Sequence, residues 1–143
     1  MVSPPNAELI HATCVAIGGI GVLLRGPSGA GKSDLALRLI DRGAVLVGDD
    51  YVHVTAQDGV LSAYVPKTIA GRMEVRGVGI VTLPYQPEAP VGLVVDLGEE
   101  DRLPEPAQAV IAGIALPLFR LNPFPASAPI KAELLLSQRK ERL

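Results

Sequence analysis

Aromatic residues are scarce in this chain, which has no tryptophan and only 3% phenylalanine and tyrosine. So few rings leave almost no platform on which nucleic-acid bases could stack. Basic residues are not in excess either, because 13 lysines and arginines stand against 15 aspartates and glutamates, for a formal net charge of −2. Binding to DNA or RNA phosphates requires a positive surface. We therefore expect no nucleic-acid partner.

Cysteine occurs once, at Cys14, inside an apolar run. A lone cysteine cannot form an intramolecular disulfide or a thiolate metal centre, so we expect a buried thiol and a reducing, cytoplasmic location. The apolar stretch at residues 12–24 is interrupted by glycines and follows no basic segment. It is too short to span a bilayer, and the sequence therefore predicts neither export nor a membrane partner.

The remaining composition is typical of one compact core. Apolar residues make up 48% of the 143 residues and charged residues only 20%, which excludes a disordered tail. Apolar strand-like runs alternate with helix-like ones. We predict a single α/β domain over residues 1–143.

Residues 26–33 read Gly-Pro-Ser-Gly-Ala-Gly-Lys-Ser, the pattern of a phosphate-binding loop, or Walker A P-loop. An apolar run at 22–24 precedes it, and a helical pattern follows it as far as Gly43, which predicts the helix end. In such a loop, backbone N–H groups surround a polyphosphate, Lys32 neutralises charge and Ser33 offers a hydroxyl to Mg²⁺. We predict that the chain binds a nucleoside triphosphate, the alternative being an ordinary glycine-rich turn. The predicted nucleotide-binding residues are Gly26, Pro27, Ser28, Gly29, Ala30, Gly31, Lys32 and Ser33.

A histidine is predicted to lie beside this loop. Two glycines at 18–19 join apolar runs at 12–17 and 20–25, which predicts a tight β-hairpin. If the two glycines form the whole turn, the strand pairing continues until His11 lies opposite Gly26.

Two adjacent acids follow the predicted helix at 33–42 and a short buried strand at 44–48. In a parallel pair linked by a helix, both strands end at the same sheet edge, so Asp49 and Asp50 are expected beside the phosphates. One could accept a proton from an attacking hydroxyl while the other holds Mg²⁺ or its waters. The spacing does not choose between them, and a solvated acidic turn is the alternative.

A further acid and base lie in the segment 73–80, which we predict to be extended. Alternation along an extended chain would put Glu74 and Arg76 on one face. They could form a surface ion pair of little energetic consequence. Next to a nucleotide, they could instead supply a metal ligand and a positive charge for the transferred phosphoryl group.

The other predicted elements flank these segments. We predict a second hairpin at 51–56 and 60–65, turned by residues 57–59, and an apolar strand at 91–97. A charged, proline-rich loop at 99–106 contains Arg102. An amphipathic helix at 130–142 ends in basic residues, which form either a solvated end or a docking surface for acidic groups.

Taken together, these motifs resemble the C-terminal catalytic domain of bacterial HPr kinase/phosphorylase. The resemblance covers about residues 8–120 and is carried by His11, the loop at 26–33, Asp-Arg-Gly at 41–43, the acid pair at 49–50 and Glu-Val-Arg-Gly-Val-Gly-Ile at 74–80. It implies a P-loop kinase domain with a mixed β-sheet flanked by helices and a phosphoenolpyruvate-carboxykinase-like nucleotide-binding core. It further implies an ATP- and Mg²⁺-dependent kinase that phosphorylates a serine of HPr, the small phosphocarrier of the sugar phosphotransferase system.

The resemblance also implies roles for individual residues. Lys32 and the neighbouring amides would hold the β- and γ-phosphates, and Ser33 and Glu74 would ligate Mg²⁺. Asp50 would be the base that takes the serine proton, with His11 close enough to set its charge and Asp49 supporting the site. Arg102 would lie near the transferred phosphoryl group.

The sequence departs from the family pattern in two places. His11 is preceded by only ten residues, so we expect no N-terminal regulatory domain. Residues 121–125 read Leu-Asn-Pro-Phe-Pro, without the arginine and glycine that the family has in the segment associated with the reverse, phosphate-driven reaction. The sequence thus supports kinase activity more strongly than phosphorylase activity.

Two other functions remain open, a P-loop small-molecule kinase and a non-catalytic nucleotide-binding regulatory module. The family forms hexamers, and an apolar edge at residues 111–118 could contribute to packing between subunits of a homo-oligomer.

Overall fold

A computed structural model describes the backbone of residues 7–142 and the side chains of residues 7–139. Within these residues the chain forms eleven strands and two helices. The strands are β1 (Ala7–Ile10), β2 (Ala12–Ile17), β3 (Ile20–Arg25), β4 (Val45–Gly48), β5 (Val52–Gln57), β6 (Val60–Tyr64), β7 (Arg72–Val75), β8 (Gly79–Thr82), β9 (Glu88–Leu97), β10 (Gln108–Ile111) and β11 (Ile114–Leu121). The helices are α1 (Lys32–Asp41) and α2 (Ala128–Arg142).

Nine of the strands form one mixed, curled sheet that branches at β9. Its main order is β1-β5-β6-β9-β3-β2-β4, and the β10-β11 pair joins at β9. The start of β9 pairs antiparallel with β6, whereas its end pairs in parallel with β11 on the same edge and with β3 on the other. The predicted α/β class with a mixed sheet is confirmed.

Both helices cover one face of this sheet. Leu35 and Leu39 of α1 pack with Leu136 of α2 against buried residues of β2, β3, β9 and β11. The opposite face is covered by the curled part of the sheet itself, since Val52, Val54 and Leu61 pack against the other side of β2, β3 and β9. This layering leaves the ends of β3 and β4 open beside the start of α1.

The first hairpin has the predicted register. Ile17 pairs with Ile20 and Ala12 with Arg25. Gly18 and Gly19 form the turn with φ angles of 57° and 83°, the left-handed conformation that a two-residue turn of this kind requires. His11 therefore lies one residue beyond the ladder, at the end where β3 leads into the glycine-rich loop.

The second hairpin has a shorter turn than the predicted 57–59. Gln57 pairs with Val60, so Gln57 is the last residue of β5 and only two residues turn the chain. These are Asp58 and Gly59, both with positive φ. The strand β5 begins at Val52, one residue later than predicted.

The prediction of one extended segment at 73–80 is wrong. β7 and β8 form an antiparallel hairpin in which Glu74 pairs with Ile80, and Arg76 lies in the turn. Positive φ angles of 86° at Gly77 and 117° at Gly79 allow the chain to reverse. The alternation that would put Glu74 and Arg76 on one face therefore ends before Arg76.

Helix α1 begins and ends one residue earlier than the predicted 33–42, and α2 also begins earlier than predicted. Gly43 follows the C-cap residue Arg42 and adopts a φ of 112°, and its N–H bonds to the carbonyl of Ile40, so Gly43 lies at the helix end as expected. α2 begins at Ala128, and Lys131 near its start forms an ion pair of 2.7 Å with Glu100. The side chains of Lys140 and Arg142 lie outside the described residues. Neither helix has the length and apolar character that crossing a membrane requires.

The apolar side chains of residues 111–118 are partly used within the chain itself. Ile111 and Leu116 are buried in the core of this chain. β10 pairs with residues 114–117 of β11, whereas β9 pairs with residues 118–121. Within the described residues, β10 pairs only with β11, and a role of this segment in packing between subunits stays a prediction.

Cys14 is a buried thiol, as expected, and its reactivity gives a first testable prediction. Burial raises the pKa of this thiol to about 12 from the usual 9.0. The thiolate is the nucleophile, so the folded protein should react with a thiol reagent at pH 8 roughly 1,000-fold more slowly than the unfolded protein. Labelling with and without denaturant checks this; rapid stoichiometric labelling of the folded protein would contradict it.

The same pKa difference predicts a loss of stability in alkali. Above pH 9 the unfolded chain loses the thiol proton while the folded chain keeps it, so the free energy of unfolding should fall between pH 9 and about 12. A Cys14→Ala variant should lack this component of the pH dependence.

Candidate active site

The candidate site lies at one edge of the sheet, where β3 and β4 both end. The glycine-rich loop (residues 26–33) leaves β3, and Asp49 and Asp50 follow β4. The two strands run parallel but are not neighbours, because β2 lies between them and pairs antiparallel with each. The prediction that both strands end at the same sheet edge is confirmed. The expectation that the two strands pair directly with each other is wrong.

The glycine-rich loop curls around the side chain of Lys32. Positive φ angles of 86° at Gly29 and 101° at Gly31 turn the chain into α1. The Lys32 side chain is only 5% exposed, and its ammonium donates to the carbonyls of Gly26 at 2.7 Å and Pro27 at 3.1 Å. A positive charge is therefore fixed at the centre of a backbone turn at a helix N-terminus, an arrangement that favours anions.

Asp49 is the point where three elements meet. Its Oδ1 accepts hydrogen bonds from the Ser33 hydroxyl at 2.6 Å and the Thr13 hydroxyl at 3.1 Å. Its Oδ2 accepts from the backbone N–H of Glu74 at 3.2 Å. The carboxylate thereby joins α1, β2 and β7 and is held in one orientation.

Asp50 is held differently. Its Oδ1 lies 3.0 Å from Nε2 of His11, and its side chain is 56% exposed. The His11 ring stacks on Tyr51, with centroids 4.7 Å apart and planes inclined by 19°. Asp50 is accessible to an incoming molecule, and its carboxylate is hydrogen-bonded to the His11 imidazole. This carboxylate can therefore accept a proton from a hydroxyl placed at the loop.

The backbone of Asp50 is in a rarely occupied conformation. Its φ is 68°, and its N–H donates to the hydroxyl oxygen of Thr13 at 3.1 Å. Aspartate tolerates the left-handed region better than most residues. Thr13, which is fully buried, therefore contacts both aspartates through one hydroxyl, donating to Asp49 and accepting from Asp50.

The oxygen groups at the loop fit a hard divalent cation. Ser33 and Asp49 are in contact, and Glu74 lines the same cavity as Asp49, with a volume of about 190 Å³. Residues 7–139 contain no cluster of three or more histidine, cysteine, aspartate or glutamate side chains that could hold a metal by themselves. Mg²⁺ characteristically binds through one or two carboxylates and the oxygens of a phosphate substrate, which agrees with this sparse donor set.

Arg76 and Arg102 are not brought into the site. Both side chains are exposed, Arg76 in the β7-β8 turn and Arg102 in the loop before β10. Within residues 7–139 neither forms an ion pair. The structure thus brings together His11, Lys32, Ser33, Asp49, Asp50 and Glu74 of the predicted residues.

The sequence did not reveal the residues that orient these groups. Thr13 and Tyr51 were missed because a threonine inside a strand and a tyrosine after an acidic turn carry no motif. Arg25 pairs with Asp96 through two hydrogen bonds of 2.7 and 3.0 Å, tying β3 to β9 directly below the loop. A signal existed for Arg25, since it is a charged residue ending an apolar strand immediately before the loop.

The Thr13 hydroxyl gives a second prediction. Thr13→Val keeps the shape of the side chain but leaves the Asp50 N–H and part of Asp49 without a buried partner. Hydrogen bonds to charged groups contribute about 1.5–3 kcal/mol, so the free energy of unfolding should fall by roughly that amount in urea denaturation. Thr13→Ser keeps the hydroxyl and loses only a methyl group, at a cost of about 1 kcal/mol. Equal stability of the valine variant and the wild type would contradict the role given to this hydroxyl.

The fold and the site together define an α/β domain in which acidic groups lie at the same sheet edge as a glycine-rich loop. The family is narrower than this class. The chain belongs to the HPr serine kinase C-terminal domain family, whose model matches residues 5–86.

Individual relatives agree with this assignment. The chain is 47% identical over 72 residues to the HPr kinase/phosphorylase of Clostridium botulinum (strain Eklund 17B / Type B), covering 50% of this chain and 24% of the relative. It is 48% identical over 75 residues to that of Clostridium novyi (strain NT), covering 52% and 24%. The match thus spans only 24% of the length of these curated relatives.

A solved structure matches nearly the whole chain. It is that of the Hpr(Ser) kinase/phosphatase from Coxiella burnetii, with a TM-score of 0.81 and 26% sequence identity. The alignment covers 94% of this chain and 97% of that one. The similarity therefore extends beyond the first half of the chain to β9, β10, β11 and α2.

Proposed function

We propose that this protein transfers the γ-phosphoryl group of ATP to a serine hydroxyl of an HPr-type phosphocarrier protein. The observation that carries the proposal is the Asp50–His11 pair, at 3.0 Å, on the same sheet edge as the loop that encloses Lys32. The names of the relatives, HPr kinase/phosphorylase and Hpr(Ser) kinase/phosphatase, support the choice of substrate.

In this proposal the triphosphate lies on residues 26–33, with the β- and γ-phosphates on Lys32 and on the N–H groups at the start of α1. Ser33 and Glu74 would hold Mg²⁺, and Asp49 lies between them as a hydrogen-bond partner of both residues. The ion would offset the negative charge that builds up on the phosphate oxygens.

Proton transfer is assigned to Asp50. The serine oxygen of the carrier attacks the γ-phosphorus, and the bond between that phosphorus and the bridging oxygen breaks, so that ADP leaves. The serine proton passes to the Asp50 carboxylate. His11, 3.0 Å from Asp50 and stacked on Tyr51, orients that carboxylate. Asp49 is committed to three hydrogen bonds and is less suited to this role.

We assign the two exposed arginines to binding of the γ-phosphoryl group during its transfer. Arg76 and Arg102 would approach the γ-phosphoryl oxygens when the carrier docks, since both are exposed and belong to a turn or a loop. In the reverse direction, inorganic phosphate would attack the phosphorus of the phosphoserine, and the bond from that phosphorus to the serine oxygen would break. A protonated Asp50 would give its proton to the serine oxygen, and pyrophosphate would leave. The forward kinase reaction remains the primary proposal.

We place this activity in the cytoplasm, where ATP and the carrier meet, with no part for nucleic acid or membranes. We also propose a homo-oligomer, with a hexamer as the expected form. Light scattering at several protein concentrations tests the oligomer independently of the activity.

The deciding experiment is a transfer assay with purified HPr-type carriers, ATP and Mg²⁺, followed by mass spectrometry of the carrier. We expect one phosphoserine, and none when Mg²⁺ is chelated. A carrier with its acceptor serine changed to alanine is the matched control. Nucleotide binding without transfer to any carrier would favour a regulatory module, and transfer to small molecules would favour a metabolite kinase.

A further inference from the structure

A second cavity adjoins the glycine-rich loop on the side away from the aspartates. It has a volume of about 430 Å³ and lies between that loop, the end of β9 and the segment after β11. The order of strands in the sheet explains this position. β9 and β11 lie on one side of β3, whereas β2 and β4 lie on the other side, where the aspartates follow β4. Its walls include Pro27, Ala30, Leu97, Glu99, Pro123 and Phe124.

The cavity is lined by an exposed aromatic ring, although the chain has only five phenylalanines and tyrosines. Phe124 is 72% exposed. A Cβ atom added at Gly31 would lie 3.6 Å from Cε1 of Phe124 and 3.2 Å from Cγ of Pro123, so these side chains lie directly against the loop. Pro123 and Phe124 thus form an apolar surface next to the proposed phosphate site.

The segment that carries this ring is pinned to the rest of the molecule. The N–H of Phe124 donates to Oδ1 of Asn122 at 3.1 Å. The Arg38 guanidinium of α1 donates to the carbonyl of Pro125 at 3.2 Å and also to that of Pro123. The backbone on both sides of Phe124 is therefore fixed relative to the helix that begins at the loop, and the ring is presented to solvent at a set position.

The strand opposite this segment is fixed as well. The N–H of Gly98 donates to the carbonyl of Leu121 at 3.0 Å, and Glu100 accepts from the N–H of Asn122 and from Lys131. These bonds hold the end of β9 against the end of β11. The cavity is thus built from rigid elements on three sides.

We infer that this cavity holds the purine base of the nucleotide, stacked on Phe124; the inference rests on the proposed nucleotide-dependent function. The γ-phosphate must lie toward Asp50 for transfer, so the nucleoside end extends away from the aspartates, past Pro27 and Ala30. Base-binding pockets are concave and largely apolar, with a few polar groups that set orientation. Asn122 and Glu99, at the same cavity, are the polar groups available to the base edge.

The test uses Phe124→Trp as an internal reporter. The chain has no tryptophan, so the variant contains a single indole at the proposed stacking position. We expect saturating ATP with Mg²⁺ to change the tryptophan emission. Inorganic tripolyphosphate with Mg²⁺, which has the phosphates but no base, should leave the emission unchanged.

Affinity provides a second measurement. Loss of an aromatic stacking partner should weaken ATP binding in Phe124→Ala by roughly five- to hundredfold in calorimetry, with tripolyphosphate binding unchanged. Phe124→Leu keeps an apolar side chain and should be intermediate. Val110→Ala, a truncation at a 69% exposed site on β10, is the matched control and should bind ATP like the wild type.

Each outcome decides between the two proposals. Wild-type affinity for ATP in Phe124→Ala, or ATP binding that leaves the Phe124→Trp emission unchanged, overturns the base pocket and leaves the phosphate site intact. Equal affinity of the wild type for ATP and tripolyphosphate also overturns it. Failure of the wild type to bind either compound overturns the proposed function itself.

Discussion

Asp50→Asn is expected to lower the rate of serine phosphorylation by roughly 10²–10⁴-fold, the contribution typical of a positioned general base. Nucleotide binding should stay close to that of the wild type, because the proposed phosphate contacts come from the loop at 26–33. The change removes the ability to take a proton while keeping the shape of the side chain. Transfer assays at saturating ATP, together with calorimetry of ATP binding, measure the two effects separately.

Asparagine is the informative replacement at this position. The φ of Asp50 is 68°, and asparagine tolerates that conformation as aspartate does, whereas alanine would add backbone strain. The chain supplies a matched control in Asp58, which has a φ of 53° in the β5-β6 turn. Asp58→Asn should leave transfer unchanged. If Asp50→Asn retained full activity, the base would have to be sought elsewhere, with Asp49 as the next candidate.

The parts of the site predicted correctly are those fixed by local turn chemistry and strand order. Glycines at 18–19 dictate a two-residue turn, and the turn dictates the register that brings His11 to the loop. Asp49 and Asp50 reach the same edge as the loop because β3, the loop and α1 precede β4 in the chain. This order makes β4 run parallel to β3, so that both strands end at one edge. This reasoning holds even though β2 separates the two parallel strands.

The parts predicted wrongly depend on features that a local pattern does not contain. Residues 73–80 alternate like one strand, but Gly77 and Gly79 turn the chain back, and Arg76 leaves the face of Glu74. Here the conformations of the two glycines override the period-two pattern of an extended strand.

The different roles proposed for the two adjacent aspartates likewise could not be read from their spacing. They become distinct only through partners from other elements, Thr13 and Ser33 for Asp49 and His11 for Asp50. The Thr13 hydroxyl bonds to the Asp49 carboxylate and to the backbone N–H of Asp50, so it fixes the position of the Asp50 backbone relative to Asp49.

Lys32→Met is expected to abolish most activity without destabilising the fold. Lys32 is 5% exposed, and its ammonium contacts only the carbonyls of Gly26 and Pro27 among the hydrogen bonds of residues 7–139. No carboxylate in that range forms an ion pair with it. A buried charge without a counter-charge costs stability, and an apolar side chain of similar length removes that cost together with the two hydrogen bonds to the loop. Because these changes oppose each other, the free energy of unfolding should stay close to that of the wild type.

The loss of function should nevertheless be large, because in the proposed function the phosphate oxygens supply the counter-charge that the ammonium lacks. Removing a fixed donor to charge that develops in the transition state lowers rates by roughly 10²–10³-fold. Lys67→Met, the same substitution at an exposed site, is the control for charge removal alone. Thermal unfolding without nucleotide and calorimetry with ATP and Mg²⁺ measure the two effects. A marked fall in melting temperature with ATP affinity retained would make Lys32 a structural residue of the loop rather than its phosphate ligand.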